Sequence, residues 1–185
     1  NGYSEEWPRE AERRGLLNLR STPEALIHYT DEKNVALFAR HGVYTRTEIQ
    51  SRQDINMEEY AKIIHIEALT LIDMLGKLIV PACAAYSSKL AEGVAAKAGI
   101  GVDAPAEAAQ VRLLTEKTAE LIERTERLKA VVAAEPEELN ARAMYEHEAV
   151  IPAMEAARQV ADELEGRVGK EYWPMPSYAD LLFYV

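Results

Sequence analysis

The sequence predicts an all-α protein, an elongated antiparallel bundle of long kinked helices preceded by several short helices. Of the 185 residues, 7% are aromatic and 9 are glycine, a composition that favours helix over sheet. Apolar and threonine side chains also recur every three or four residues through two long stretches, as on a helix face that packs against another helix. Short connections between such helices make neighbours antiparallel.

Composition and charge argue against several classes of protein. A net charge of −10, without any cluster of Lys and Arg, argues against nucleic-acid binding. Cys83 is the only cysteine, which excludes an internal disulfide and fits a reducing compartment such as the cytoplasm. No apolar run approaches the ~18 residues of a membrane-spanning helix. The polar start NGYSEEWPRE is unlike a signal peptide and lacks an initiator Met, so we interpret the chain as a piece of a longer protein.

Short helices are expected in the first fifty residues, because helix-start signals recur there. In each signal a hydroxyl side chain precedes acidic residues or a proline that suit the first helical turn. The predicted caps are Ser4, Thr22 (ahead of Pro23), Thr30, and Thr45 (at capping-box spacing from Glu48). Gly15 and Gly42 are expected to end helices.

A long helix is predicted to begin at Asn56, with Glu59 completing its cap, and to run to Ala98. Pro81 lies inside this stretch and is expected to kink the helix rather than end it, since apolar periodicity resumes beyond it. The glycine-rich residues 98–105 are predicted to form a loop.

Two further long helices are predicted, over residues 106–134 and from Pro136 to the region of Gly166 and Gly169. Pro152 lies within the third helix as Pro81 does within the first. The side chains expected to face other helices are Val111, Leu114, Thr118, Leu121, Thr125, Leu128 and Val132 in the second helix, and Leu139, Ala143, Val150, Met154, Ala157, Ala161, Leu164 and Val168 in the third.

The chain is accordingly predicted to form one domain in three parts. Residues 1–53 are a short-helix segment packed on the bundle, and residues 54–170 are the long-helix bundle. Residues 171–185 form an aromatic tail whose prolines at 174 and 176 forbid a regular helix. Because its apolar side chains are poorly suited to water, the tail is expected to dock on the bundle or on a neighbouring chain.

The first long helix raises the question of a site, because polar residues stand among its apolar ones. At 100° per residue one broad apolar face is formed by Met57, Tyr60, Ile64, Ala68, Leu71, Leu75 and Leu78. Glu67 falls inside the apolar arc and His65 lies at its boundary. A buried Glu67 is either a metal ligand or acid catalyst, or a carboxylate satisfied by a donor from the N-terminal helices, and we favour the latter. His65 is interpreted as a boundary histidine.

Motifs that would carry chemistry are absent from the sequence. Di-iron sites in helical bundles use Glu-x-x-His pairs, and none of the four histidines, His28, His41, His65 and His147, has Glu three residues earlier. No phosphate-binding loop and no nucleophile elbow occur. Cys83 has no neighbouring feature that would activate a thiolate. The residues therefore predict no catalytic, cofactor-binding or metal-ligating side chain.

Several segments nevertheless resemble one protein family. GYSEEWPREAERRGLLNLRSTPEAL, DEKNVALFARHGVYTRTEIQSR, EEYAKIIHIEALTLIDM and YWPMPSYADLLF are similar to the C-terminal region of type III glutamine synthetases, the large-subunit bacterial class. The resemblance covers both ends of the chain and the first long helix. Residues 91–148 match mainly as acidic helix of similar length.

The resemblance implies a parent enzyme that ligates ammonia to glutamate with ATP and a divalent metal, Mg or Mn. The family's catalytic residues lie in regions whose motifs are missing here, so no catalytic residue is carried over to this sequence. The matched segment is a helical extension, and the family assembles into large homo-oligomers. The implied partners are the catalytic domain of the parent chain and neighbouring subunits, with no nucleic acid and no membrane.

Two functions remain open from the sequence. The first is a non-catalytic structural or assembly domain of a glutamine synthetase, inactive when isolated. The alternative is a stand-alone helical binding module that takes a small ligand or a protein partner in a groove near Glu67 and the proline kinks. A regulatory role of the tail, residues 172–185, in binding a protein partner is a further hypothesis.

Overall fold

The computed structural model describes residues 4–176 and 178–182, and within these residues it contains helices and no strand. The all-α prediction is therefore confirmed. The helices are α1 (Glu6–Arg13), α2 (Thr22–Leu26), α3 (Glu32–Arg40), α4 (Arg46–Met74), α5 (Val80–Gly99), α6 (Pro105–Val132), α7 (Leu139–Tyr145), α8 (Ile151–Glu165) and α9 (Tyr178–Leu182). A 3₁₀ turn covers Ile27–Thr30, and two π-helical segments cover Leu75–Ile79 and Glu146–Val150.

Two of the helix starts in the first fifty residues carry reciprocal capping boxes. At α2 the backbone N–H of Glu24 donates to the Ser21 hydroxyl, and the Ser21 N–H donates to the Glu24 carboxylate at 3.0 Å. The cap is thus Ser21, and the prediction of Thr22 was wrong by one residue. At α4 the Thr45 N–H donates to the Glu48 carboxylate at 2.7 Å and the Glu48 N–H donates to the Thr45 hydroxyl at 3.3 Å, which confirms the predicted box.

The other two predicted caps, Ser4 and Thr30, were wrong. In α1 and in α3 the N-cap is the residue that follows the predicted one, and neither cap side chain accepts a hydrogen bond from the backbone of its helix. The predicted helix stops are confirmed. Gly15 follows α1 with φ of 74° and Gly42 follows α3 with φ of 63°, a conformation that glycine adopts without steric cost.

The first long helix starts earlier than predicted. Because the capping box at Thr45 opens α4, the helix runs through Asn56, whose side-chain amide donates back to the Arg52 carbonyl at 2.8 Å instead of capping. From Arg46 to Gly99 the chain is helical without a break, over 54 residues. The prediction that Pro81 would not end the helix is confirmed.

Each proline inside a long helix follows a π-helical segment. A proline has no N–H to donate, and its ring clashes with the carbonyl four residues back in an α-helix. In the first π segment the Val80 N–H donates to the Leu75 carbonyl, five residues back, just ahead of Pro81. Pro152 stands in the same position after the second segment. The wider π turn thus keeps both prolines within a continuous helical chain.

The first π segment also changes which side chains face the core. Leu78 was predicted on the apolar face but is 43% exposed, whereas Ile79 is 6% exposed. A π turn takes up more residues per turn than an α turn, so the buried positions step by four, from Leu75 to Ile79 to Cys83. The uniform 100° rotation assumed from the sequence fails here.

α6 confirms the second predicted helix and most of its buried positions. Leu114, Leu121 and Leu128 are fully buried. Thr125 is accommodated among them because its hydroxyl donates to the Leu121 carbonyl at 2.8 Å. The third helix does not start at Pro136, since α7 begins only at Leu139.

The described residues divide into two compact units, and the division falls within α4. The first unit, residues 1–63 and 136–148, has a small core of Met57, Ala61 and Ala143, against which Leu26 and Leu139 pack. In this unit the carboxylate of Glu138 caps α7 by accepting the backbone N–H groups of Asn140 at 3.0 Å and Ala141 at 2.6 Å.

The second unit, residues 64–135 and 149–185, has the larger core. It is formed by Leu75, Ile79, Cys83, Leu114, Leu121, Ala157, Val160, Ala161, Leu164 and Val168. At the surface Lys117 of α6 lies 3.0 Å from Glu120 of the same helix and 2.8 Å from Glu163 of α8, so one ammonium joins the two helices. The predicted division at residues 53 and 170 stays a prediction.

Candidate functional site

Glu67, the residue whose sequence environment raised the question of a site, is solvent-exposed. The prediction that it lies in a buried apolar arc was wrong, because the helix buries one face and leaves apolar side chains on the other side in water. Ile66, the residue before it, is 61% exposed and Leu69 is 48% exposed. Glu67 therefore needs no buried partner, and its position gives no reason to expect a binding site around it.

His65 is half-buried and forms a hydrogen bond with Glu135. The Nδ1 atom lies 2.7 Å from Glu135 Oε1, and the Glu135 side chain is 12% exposed against 37% for His65. We interpret the contact as a hydrogen bond that attaches α4 to the chain just beyond α6.

Cys83 is fully buried in the core of the second unit. Burial raises the pKa of its thiol, because a thiolate would lose its hydration there, and a hydrogen bond with the Thr118 side chain offsets this only in part. The thiol stays protonated and packs as a small apolar group. This agrees with the lack of thiolate-activating features in the sequence around Cys83 and gives no support to a nucleophilic role.

Part of the aromatic tail packs on the second unit. Tyr172 and Trp173 pack against its core, and the ring of Tyr172 lies 5.2 Å from that of Tyr86 in a tilted arrangement. A cavity of about 390 Å³ lies beside them, lined on one side by Leu71, Leu75 and Ile79 and on the other by Trp173, Met175 and Leu181. The predicted docking of the whole tail stays a prediction, because residues 177 and 183–185 lie outside the described residues.

A second open cavity, of about 560 Å³, lies in the first unit between α1 and the segment 15–20, and we call it the α1 groove. Pro8, Leu16 and Leu17 give it an apolar part, and Arg9 and Arg20 give it positive charge. Glu5 and Glu12 also line it. The α1 groove was not predicted from the sequence. The run GLLNL, with three leucines just after a helix-ending glycine, could have indicated an apolar surface here.

The fold and these features define a class of protein, an all-α domain whose described surface offers open grooves with mixed apolar and charged walls. Among the described residues no helix is long and apolar enough to cross a membrane. The polar groups singled out from the sequence are either exposed, as Glu67 is, or engaged in the contacts that hold the helices together, as His65 is.

Comparison with known proteins gives the family. Residues 1–98, more than half of the chain, match the family model described as the glutamine synthetase C-terminal domain, and the chain belongs to this family. It is 35% identical over 192 residues to the type-3 glutamine synthetase of Dictyostelium discoideum. It is 33% identical to glutamine synthetases of Butyrivibrio fibrisolvens, over 192 residues, and Bacteroides fragilis, over 196 residues.

The matches cover 99% of this chain and 26 to 27% of each relative, so the chain spans about a quarter of the length of the curated relatives it matches. The predicted resemblance is confirmed by these matches. Since one of the relatives comes from Dictyostelium, the similarity is not confined to bacterial proteins.

Proposed function

We propose that this chain is a non-catalytic structural and assembly domain at the C-terminal end of a glutamine synthetase. The observation that carries the proposal is the family match, which identifies a C-terminal domain, together with relatives about four times as long. Packing inside the chain supports the same view. Cys83 and the buried leucines of α6 are engaged in packing between helices.

In the whole protein, the proposed activity is the ATP-dependent ligation of ammonia to glutamate, as in the enzymes after which the relatives are named. ATP and Mg or Mn would then bind to the part of the enzyme outside this chain. We further propose homo-oligomeric assembly and a cytoplasmic location, the latter supported by the single, buried cysteine. The stand-alone binding module, with a groove near Glu67 and the proline kinks, is less well supported, since Glu67 is exposed.

The proposal is tested by comparing the full-length enzyme with a truncated form that lacks the segment corresponding to residues 1–185. Particle mass is measured by analytical ultracentrifugation, and glutamine synthesis is measured on the same samples. The number of subunits per particle is the particle mass divided by the mass of the subunit, and the proposal predicts fewer subunits after truncation. An unchanged number of subunits with lost turnover would contradict it, because the segment would then act on the chemistry without contributing to assembly.

A further inference from the structure

Exposed leucines are concentrated in the segment that follows α1. Leu16 is 52% exposed, Leu17 is 58% exposed and Leu19 is 37% exposed. Isolated apolar side chains are ordinary on a protein surface, but three within one short non-helical segment form a patch. Leu16 and Leu17 line the α1 groove together with Pro8, so the patch continues into a concave surface.

The same groove carries cationic side chains in a strongly acidic protein. Arg9 and Arg20 line it, and among the described residues neither guanidinium forms an ion pair. The neighbouring Glu10 is engaged elsewhere, by Arg13 and by Arg14. A guanidinium binds a carboxylate in a planar, two-pronged contact. The groove therefore fits a segment that places apolar side chains on the leucines and polar groups of both charges beside them, a carboxylate at Arg9 or Arg20 and a hydrogen-bond donor at Glu5 or Glu12.

We infer that the α1 groove is the docking site for the part of the glutamine synthetase chain that precedes this domain. The inference rests on the proposed function. Because the family is a C-terminal domain and the relatives extend well beyond the match, the remaining chain joins on the side of α1. A covalently attached partner that connects so close to the groove is present at a high effective concentration, which favours it over any separate molecule.

The test uses the full-length enzyme and measures accessibility at position 17. Cysteine is introduced as Leu17→Cys and, as a matched control, as Ile100→Cys, since Ile100 is a 79% exposed aliphatic residue in the loop after α5. Peptide mass spectrometry measures the rate at which a maleimide alkylates each cysteine. Each rate is divided by the rate of the same cysteine in denaturant. The inference predicts that Leu17→Cys reacts about tenfold or more slowly than Ile100→Cys, because a docked site must open before it reacts. Equal rates would overturn it.

The occupant is identified by placing photo-leucine, a diazirine isostere of leucine, at position 17 of the same enzyme. An adduct within one polypeptide, to a residue that precedes this domain, supports the inference. Adducts between two polypeptides, to another copy of this domain or to another subunit's catalytic part, overturn it, as does the absence of any protein adduct. Denaturing gels separate the first outcome from the second by mass.

Failure of this inference is distinguishable from failure of the proposed function. If position 17 is freely reactive while truncation still reduces the number of subunits per particle, the docking site is wrong and the assembly role stands. If truncation leaves the number of subunits unchanged, the assembly role fails whatever happens at position 17.

Discussion

The Nδ1 atom of His65 lies 2.7 Å from Oε1 of Glu135, which attaches the middle of α4 to the turn beyond α6. The two residues are far apart in sequence and share no motif, so only the fold brings them together. The contact gives the histidine at the edge of the apolar face a hydrogen-bond partner. It also gives a testable statement about stability.

A double-mutant cycle with His65→Asn and Glu135→Gln is expected to give a coupling energy of about 1 kcal/mol in the free energy of unfolding, as for a partly buried hydrogen bond to a charged group. Urea titration of the purified chain measures it. The control is the cycle of Thr70→Ala with Glu135→Gln, because Thr70 is an exposed residue of the same unit whose hydroxyl donates to the Ile66 carbonyl, and no coupling is expected for it. Coupling near zero for both cycles would show that the contact contributes nothing.

The buried leucines of α6, Leu114, Leu121 and Leu128, are expected to contribute most to the stability of the second unit. Leu121 is fully buried, so Leu121→Ala should reduce the free energy of unfolding by about 2 to 5 kcal/mol through lost burial and a cavity. Ile122 is the matched control, because it follows Leu121 on the same helix and is 46% exposed. Ile122→Ala should cost about 1 kcal/mol or less. Similar losses for both variants would contradict the assigned helix orientation.

Two glycine substitutions should act in opposite directions. A Cβ at Gly169 would lie 3.1 Å from Cε2 of Tyr86, so Gly169→Ala should destabilise the chain by about 1 to 3 kcal/mol by overpacking. A Cβ at Gly93, inside α5, meets nothing within 4 Å, so Gly93→Ala should stabilise it by about 0.5 to 1 kcal/mol. Thermal unfolding distinguishes the two. A stabilising Gly169→Ala would show that the Tyr86 ring moves aside and that the added methyl does not overpack this position.

The cap of α2 offers a test that separates the structure from the sequence prediction. Ser21→Ala should cost about 1 kcal/mol of unfolding free energy, because the Glu24 N–H loses its acceptor. Thr22→Ala, at the position predicted from the sequence, should change it by less than about 0.5 kcal/mol. Urea titration measures both losses of unfolding free energy. A larger loss for Thr22→Ala than for Ser21→Ala would show that Thr22 is the cap.

The same cap makes stability depend on pH. The Arg20 N–H, followed by the Ser21 hydroxyl and N–H, stabilises the Glu24 carboxylate and lowers its pKa below the ordinary value of 4.5. The stabilisation is therefore complete above that value and is lost as pH falls through the lowered pKa. The stability difference between wild type and Glu24→Gln should shrink between about pH 6 and pH 3. A difference that grows on acidification would contradict the cap.

The all-α class, the long helices and the spacing of most of their buried side chains could be predicted from the sequence, because these features depend on composition and on the periodicity of apolar residues. Helix starts could be predicted only in part. Asn56 and Thr45 carry similar local signals, and the reciprocal bonds that form at Thr45 decide between them. The exposure of Leu78 could not be predicted, since a π turn changes the rotation per residue and leaves no distinct signature beyond the proline that follows it.

The candidate sites depend on tertiary structure to a greater degree. Glu67 was placed in a buried arc because the helix is apolar around most of its circumference, and sequence alone does not show which apolar side chains, such as Ile66, stay in water. The α1 groove depends on how the chain turns after Gly15. Its leucines are visible in the sequence, but their concave arrangement with Arg9 appears only in the folded unit.

The measurement that tests the central claim most directly is glutamine synthesis by the purified 185-residue chain, supplied with glutamate, ammonia, ATP and Mg or Mn, beside the full-length enzyme. We predict turnover by the full-length enzyme and none above background for the isolated chain. Glutamine formation by the chain that saturates with glutamate and requires ATP would contradict the assignment of a non-catalytic domain.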